Sequence, residues 1–267
     1  MKKHYIIDAH CHIYPEKIAA KATESTDRFY DVHSAFDGSL KQLLDAGKSA
    51  GVDKFLVQSV ATTPHQVESI NSFIAREVEA HSDVLVGLGT MHPDSADICA
   101  DVDRVKELGL HGIKMHPDIQ AFPLDDERCM PFYERCAKLG LPVLMHTGDY
   151  RYDYSNPDRL LNVLKTFPKL TVVGAHFAGW SVWDEALEKL ASFENLYVDS
   201  SSTLGFAKDE AKVKMLIEGW GEDKILFASD YPMWKSADEI KMLEKLNLSD
   251  TAYEKIYHLN AEKVYKL

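Results

Sequence analysis

Leu141-Pro142-Val143-Leu144-Met145-His146-Thr147-Gly148 is a short apolar run that stops on a histidine, a threonine and a glycine. Residues 141 to 145 show no polar alternation, the pattern of a parallel strand buried on both faces. Behind the run, a helical pattern over 127–139 ends on Gly140, a residue type that readily takes the left-handed backbone on which helices stop. Ahead of it, a second amphipathic pattern covers 157–167. The local unit is a buried strand, a polar residue at its end, a loop and a helix.

The same unit recurs in both directions. Runs suited to strands cover 5–13, 54–60, 84–90, 112–116, 142–147, 170–176, 196–200 and 225–230. Helical patterns cover 40–50, 64–80, 96–108, 127–139, 157–167, 182–192, 209–220 and 237–246. Beyond the second strand the repeat is roughly 25 to 30 residues, one βα unit each. Eight units without a Pro-rich or low-complexity linker predict an α/β protein, one domain over 1–267 built as a single (β/α)8 TIM barrel. Only the first unit is long: 14–38 is predicted as a loop over one end of the barrel, with Arg28, Phe29 and Tyr30 placed to serve as a lid. Residues 249–267 read as one or two closing helices. An open doubly wound sheet is the competing architecture, but no Gly-rich phosphate loop follows the first strand.

Charge and composition exclude several classes of partner. The chain has 30 basic against 42 acidic residues, a formal net charge of -12, and no basic stripe. Phosphate binding needs a basic face that displaces counterions, so no nucleic-acid partner is expected. No stretch approaches the roughly 20 apolar residues that span a bilayer, so no membrane association is expected either. The opening Met1-Lys2-Lys3-His4-Tyr5-Ile6-Ile7-Asp8 has too short an apolar core for a secretory leader. Cys11, Cys99, Cys129 and Cys136 form no C-x-x-C pair, which points to reduced thiols and a cytoplasmic protein. The expected partner is a small molecule, with a homo-oligomer left open.

In such a barrel the reactive groups stand where strands end. The first strand ends Asp8-Ala9-His10-Cys11-His12, and alternation turns His10 and His12 to one face and Cys11 to the other. Two adjacent imidazoles are a natural chelating pair for a divalent transition metal. The fifth strand ends on His146, the sixth on His176, and the eighth reads Ala228-Ser229-Asp230-Tyr231-Pro232. A lone strand histidine is commonly a hydrogen-bonded core residue. Ligand-capable residues at the same end of four strands point to a metal site. His4, His33, His65, His81, His92, His111 and His258 share no such alignment and are expected mostly at the surface.

Four stretches carry a family resemblance: Ile7-Asp8-Ala9-His10-Cys11-His12, Gly112-Ile113-Lys114-Met115-His116-Pro117, Leu141 to Gly148, and Phe227-Ala228-Ser229-Asp230-Tyr231-Pro232. Along nearly its whole length the chain resembles the amidohydrolase superfamily, most closely the branch called amidohydrolase family 2. The resemblance implies a TIM barrel in which His10, His12, His146 and Asp230 hold the metal. Asp230 would also orient the attacking water and take its proton. His176 would polarise substrate or, in two-metal members, ligate the second ion, and Asp8 would fix a histidine tautomer or the strand end. Many two-metal relatives carry a carboxylated lysine on the fourth strand, where Lys114 and His116 share one parity. Unmodified Lys114 beside a dication is costly unless it binds a substrate carboxylate or loses its proton. One ion is favoured over two, and zinc comes first for a nitrogen-rich ligand set that manganese, nickel or iron can also occupy.

Two reactions follow from this. The first is hydrolysis of a small amide, lactone or ester by metal-activated water, with Asp230, His176 and Lys114 as catalytic groups. The alternative is non-oxidative decarboxylation of an aromatic or dienoic acid, which calls for a cation near the metal to meet the substrate carboxylate. Lys114, Arg151 and Arg28 are the candidates for that cation. Trp180, Trp183, Tyr150, Tyr152, Tyr154 and Trp234 lie in loops at the same end, where they would shape a pocket or plug the barrel mouth.

Overall fold

Strand β1 (Ile7–His12) is buried through Cys11 and pairs in parallel with β2 (Lys54–Gln58). In this computed structural model, which describes residues 4–204 and 209–267, the parallel ladder continues around a ring. It runs through β3 (two segments, Leu85–Gly87 and Gly89–Thr90), β4 (Ile113–Met115), β5 (Val143–Met145), β6 (Val172–Gly174), β7 (Leu196–Asp199) and β8 (Ile225–Leu226). The break in β3 falls at Leu88, whose N–H still reaches Val57 O at 2.9 Å. The ring then closes. Ala9 N–H donates to Phe227 O at 2.9 Å, Asp230 N–H donates to His10 O at 3.0 Å, and Cys11 bridges Tyr231 in parallel. The fold is the TIM barrel that the sequence predicts. Met1, Lys2 and Lys3, on which the leader reading partly rests, lie outside the described residues.

Inside the ring, Ile7, Ala9, Leu56, Val86, Leu144 and Val173 form one apolar cluster. Outward, Cys11, Val57, Ile113 and Met145 join the larger layer between strands and helices. On β1 the inner set begins with odd-numbered residues, yet His10 and His12 both line the cavity at the strand end. The register of β1 against β2 shifts between Asp8 and Cys11, and that irregularity is what changes the parity. At the other end, Ala261, Val264 and Tyr265 of the last helix (Asn260–Tyr265) enter the inner cluster and stopper the barrel.

The outer helices form where the apolar periodicity places them, with polar caps. Ser39, Asp97 and Asn156 each accept a backbone N–H at the start of the helices Leu40–Ala50, Ile98–Glu107 and Pro157–Thr166. One expectation is corrected. The segment 14–38 is not an irregular loop: it contains a fifteen-residue helix, α1 (Glu16–Tyr30). Only Ala19 and Thr23 of α1 are buried, so its apolar stripe is thin and its sequence reads as polar. All four cysteines are unpaired. Among the described residues, no helix is long and apolar enough to cross a membrane.

Candidate metal centre

His10, His12 and Asp230 converge from the first and last strands. His10 Nε2 lies 3.1 Å from His12 Nε2, and Asp230 Oδ1 lies 3.4 Å and 3.6 Å from these two atoms. Ligands held at about 2.0–2.1 Å from a tetrahedral ion are separated by about 3.3 Å, so the spacing fits a divalent cation. Protonation also fits. The Nδ1 of His10 donates to Asp199 Oδ2 at 2.9 Å, which turns Nε2 toward His12 and Asp230 as the nitrogen that could meet a metal. Burial, followed by the neighbouring His10, pushes the His12 imidazole well below its ordinary pKa. Burial alone would raise the Asp230 carboxyl, but His10, His176, His12 and the Ser202 hydroxyl outweigh it and hold it down to about 2. The Asp230 carboxyl is therefore ionised at neutral pH. It sits on a left-handed backbone (φ 63°), a conformation that costs a non-glycine residue and recurs at functional sites.

His146, expected as the fourth ligand, is grouped instead with His116 and Asp118. Its ring stacks on His116 at 3.9 Å with 8° between the planes, and its Nε2 lies 3.6 Å from Asp118 Oδ2. His176 connects the two groups: its ring stacks on His10 at 5.5 Å, and its Nε2 lies 3.0 Å from His146 Nδ1. The direction of that last bond can be deduced. His176 Nδ1 faces the Ser201 carbonyl at 3.0 Å and the Ser201 hydroxyl at 2.9 Å; the hydroxyl gives its proton to Asp199 and the carbonyl only accepts, so Nδ1 carries the proton. Burial brings the His176 imidazole down to about 4 despite the opposing Asp230 and Asp199 carboxylates, so the ring is neutral and its Nε2 accepts. His146 must then donate through Nδ1, leaving its own Nε2 bare. Burial, with His116 next in weight, likewise keeps His146 well below its usual pKa.

Lys114 is fully buried among these groups, lines the cavity, and its Nζ has no hydrogen-bond partner among the described residues. Burial lowers it to about 8, against the opposing pull of Asp230 and Asp199. The cavity itself measures about 950 Å³ and runs from the triad out along α1. The other two candidate cations are placed elsewhere. Arg151 is tied to Asp149 through Nε at 3.0 Å and Nη2 at 2.7 Å, and exposed Arg28 stands 3.9 Å from Glu24. Trp180 and Trp234 line the cavity, whereas Trp183 donates to His176 O at 3.0 Å and Tyr150 is exposed. Asp8 accepts from Ser229 N and from Ser236 Oγ, both at 2.9 Å, so it fixes the strand end and leaves the tautomer role to Asp199. His92 is buried, unlike the surface position expected for it. Asp199 and Asp118 are not among the residues the sequence singles out, and Tyr30 is expected there only as part of a lid. Asp199 carried the same signal as the rest, a carboxylate closing an apolar strand.

Comparison with known proteins gives the setting. A family profile described as Amidohydrolase matches residues 7–267. The chain is 24% identical over 198 residues to a 2-amino-3-carboxymuconate-6-semialdehyde decarboxylase of Dictyostelium discoideum, covering 61% of this chain and 55% of that protein. It is 25% identical over 180 residues to a 2-keto-4-carboxy-3-hexenedioate hydratase of Sphingobium sp., covering 54% and 52%. The chain thus spans about half the length of the curated relatives it matches. Among solved structures, 5-carboxyvanillate decarboxylase of Sphingomonas paucimobilis superposes with a TM-score of 0.79 at 17% identity, covering 98% of this chain and 99% of that one. A dihydroxybenzoic acid decarboxylase of Polaromonas sp. JS666, solved with bound manganese and the inhibitor 2-nitroresorcinol, gives 0.76 at 16% identity, covering 99% and 97%. At such identities the structural likeness speaks for the fold.

Proposed function

The chain belongs to the amidohydrolase family, and from that premise we propose that it is a metal-dependent non-oxidative decarboxylase of an aromatic or dienoic carboxylic acid. The observation that carries this reading is Lys114, a buried cation with no hydrogen-bond partner among the described residues, which shares the cavity with His10, His12 and Asp230. Hydrolysis of a neutral amide or lactone gives such a cation nothing to pair with, whereas a substrate carboxylate does. The decarboxylase among the curated relatives supports the same choice over the hydrolase first expected from sequence.

His10, His12 and Asp230 would hold one divalent cation, which supplies positive charge against the acid's carboxylate and a neighbouring oxygen. One ion is favoured because His116 Nδ1 accepts the Ile119 N–H at 3.3 Å, so its Nε2 carries the proton and is no free donor. The donor set has nitrogen and oxygen but no thiolate, which suits manganese as well as zinc. The manganese in the Polaromonas relative makes that ion the first to load.

Lys114 anchors the acid through Nζ and supplies a proton. Among the groups that line the cavity with Lys114, Asp230 is ionised, His12, His116, His146 and His176 are neutral, and burial holds the Tyr30 phenol well above its ordinary pKa, so the ammonium is the acid available at neutral pH. The proton goes to the carbon that bears the carboxylate. The carbon–carbon bond then breaks, its electron pair returns to the π system, and carbon dioxide leaves. Apolar cavity walls disfavour the carboxylate relative to the neutral product. Carbon dioxide release by the manganese-loaded protein is measured against Lys114→Met on a panel of hydroxybenzoic and dienoic acids. Wild type is expected to release carbon dioxide and the variant to lose at least about 100-fold in kcat. Equal rates in the two proteins would remove Lys114 from the chemistry.

A further inference from the structure

Helix α1 ends at the metal centre. Its last residue, Tyr30, places its hydroxyl 2.7 Å from His116 Nε2 and 3.4 Å from His146 Nε2. The bond directions around this hydroxyl follow from fixed groups on both sides. His146 offers a bare Nε2, because its Nδ1 proton is committed to His176, which in turn donates to the Ser201 carbonyl. His116 offers a protonated Nε2, because its Nδ1 accepts the Ile119 N–H. Tyr30 has one proton and two oxygen lone pairs, and this arrangement uses them without conflict: it accepts from His116 and donates to His146.

The position of Tyr30 is itself held. Arg151 Nη1 donates to Phe29 O at 2.7 Å, one residue before Tyr30. The guanidinium also lies over the rings of Phe29 at 4.9 Å and Tyr30 at 5.0 Å, a favourable cation–π geometry. Asp149, wholly buried, holds Arg151 from behind through two hydrogen bonds. A clamp rooted in the barrel thus fixes the end of a helix that otherwise rests on two buried residues.

We propose that Tyr30 is a positioning residue: α1 delivers its hydroxyl between His116 and His146, and that hydroxyl locks the two stacked rings in one orientation facing the cavity. The proposal rests on the site reading above but not on the reaction assigned to it. Orientation acts on the transition state more than on binding, so its loss lowers kcat and spares KM.

The test uses Tyr30→Phe, which keeps the ring, and Arg151→Gln, which releases the clamp. Both are prepared in the full chain, zinc-loaded so that the protein is diamagnetic. Imidazole nitrogen–proton correlation spectra should show wild-type His116 protonated at Nε2 with slow exchange, and His146 protonated at Nδ1. In Tyr30→Phe, protection of the His116 Nε2 proton should fall at least tenfold, with a smaller fall in Arg151→Gln. These spectra need no substrate, so their outcome stands whatever the reaction proves to be. With a turned-over substrate, Tyr30→Phe is expected to lose about tenfold in kcat with KM within about twofold. Unchanged histidine spectra in a folded Tyr30→Phe would overturn the proposal. So would a loss confined to KM, which would make Tyr30 a simple substrate contact.

Discussion

Asp199 stands behind His10 and His176: its Oδ2 accepts the Nδ1–H of His10 at 2.9 Å, and its Oδ1 accepts the backbone N–H of His176 at 3.0 Å. Burial would raise this carboxyl, but the two histidines and Ser201 hold it well below the usual carboxylate range. Asp199→Asn keeps the shape but can present its amide NH2 to His10, freeing the ring to take the other tautomer. Metal affinity is expected to fall about 10- to 100-fold, as read by competition with a chelating dye. Lys114 tests the opposite balance, in which function costs stability. Its pKa, lowered from 10.5 to about 8, corresponds to a burial cost on the order of 3 kcal/mol. Below pH 8 the folded chain holds the charged form and bears the full cost. Between pH 8 and 10.5 the unfolded chain binds a proton that the folded chain has released, so wild-type stability rises with pH. Metal-free Lys114→Met should therefore melt about 5 °C or more above wild type at pH 7, and the gap should close toward pH 10.5. A variant that melts below wild type at pH 7 would show that the lysine has a stabilising partner.

At the level of elements, the site depends on how closely the loops after β5 and β6 approach. Gly148 has φ +85°, and a Cβ there would lie 2.4 Å from the Cα of Gly179. The two loops are also joined by Trp180 N–H to Thr147 O at 3.0 Å and Ser181 N–H to Gly148 O at 3.2 Å. Gly148→Ala is expected to destabilise the protein by about 2 kcal/mol or more in a denaturant melt, because backbone must move on both sides. A change under about 0.5 kcal/mol would show that the loops give way freely. The elements also mark what the sequence could convey. Strands such as Val143–Met145 were legible because burial on both faces leaves an unbroken apolar run, and His10, His146, His176 and Asp230 were legible as the residues that end such runs. Helix α1 was not: its composition is mostly polar and only Ala19 and Thr23 are buried, so it reads like a surface loop. Tyr30 and Asp118 follow from tertiary placement alone. The parity change on β1 was equally invisible, because a strand irregularity leaves no mark on the residue order.

For the whole molecule, the apolar core inside and outside the barrel is independent of the metal centre. Chelation should leave the far-ultraviolet circular dichroism unchanged, while added divalent ion should raise the melting temperature with ion concentration, as for any ligand that binds only the folded state. His10→Ala is expected to lose bound metal by elemental analysis and to keep the barrel. A collapse of the circular dichroism on chelation would mean that the ion is structural. Where the reaction breaks the substrate is read from gas and product together. Manganese-loaded protein is incubated in D2O with a carboxyl-labelled aromatic or dienoic acid, and gas and product are analysed together. Labelled carbon dioxide is expected in an amount equal to product, with one deuterium on the carbon that lost it. Turnover of lactones, esters or amides with no carbon dioxide from any acid in the panel would rule out decarboxylation.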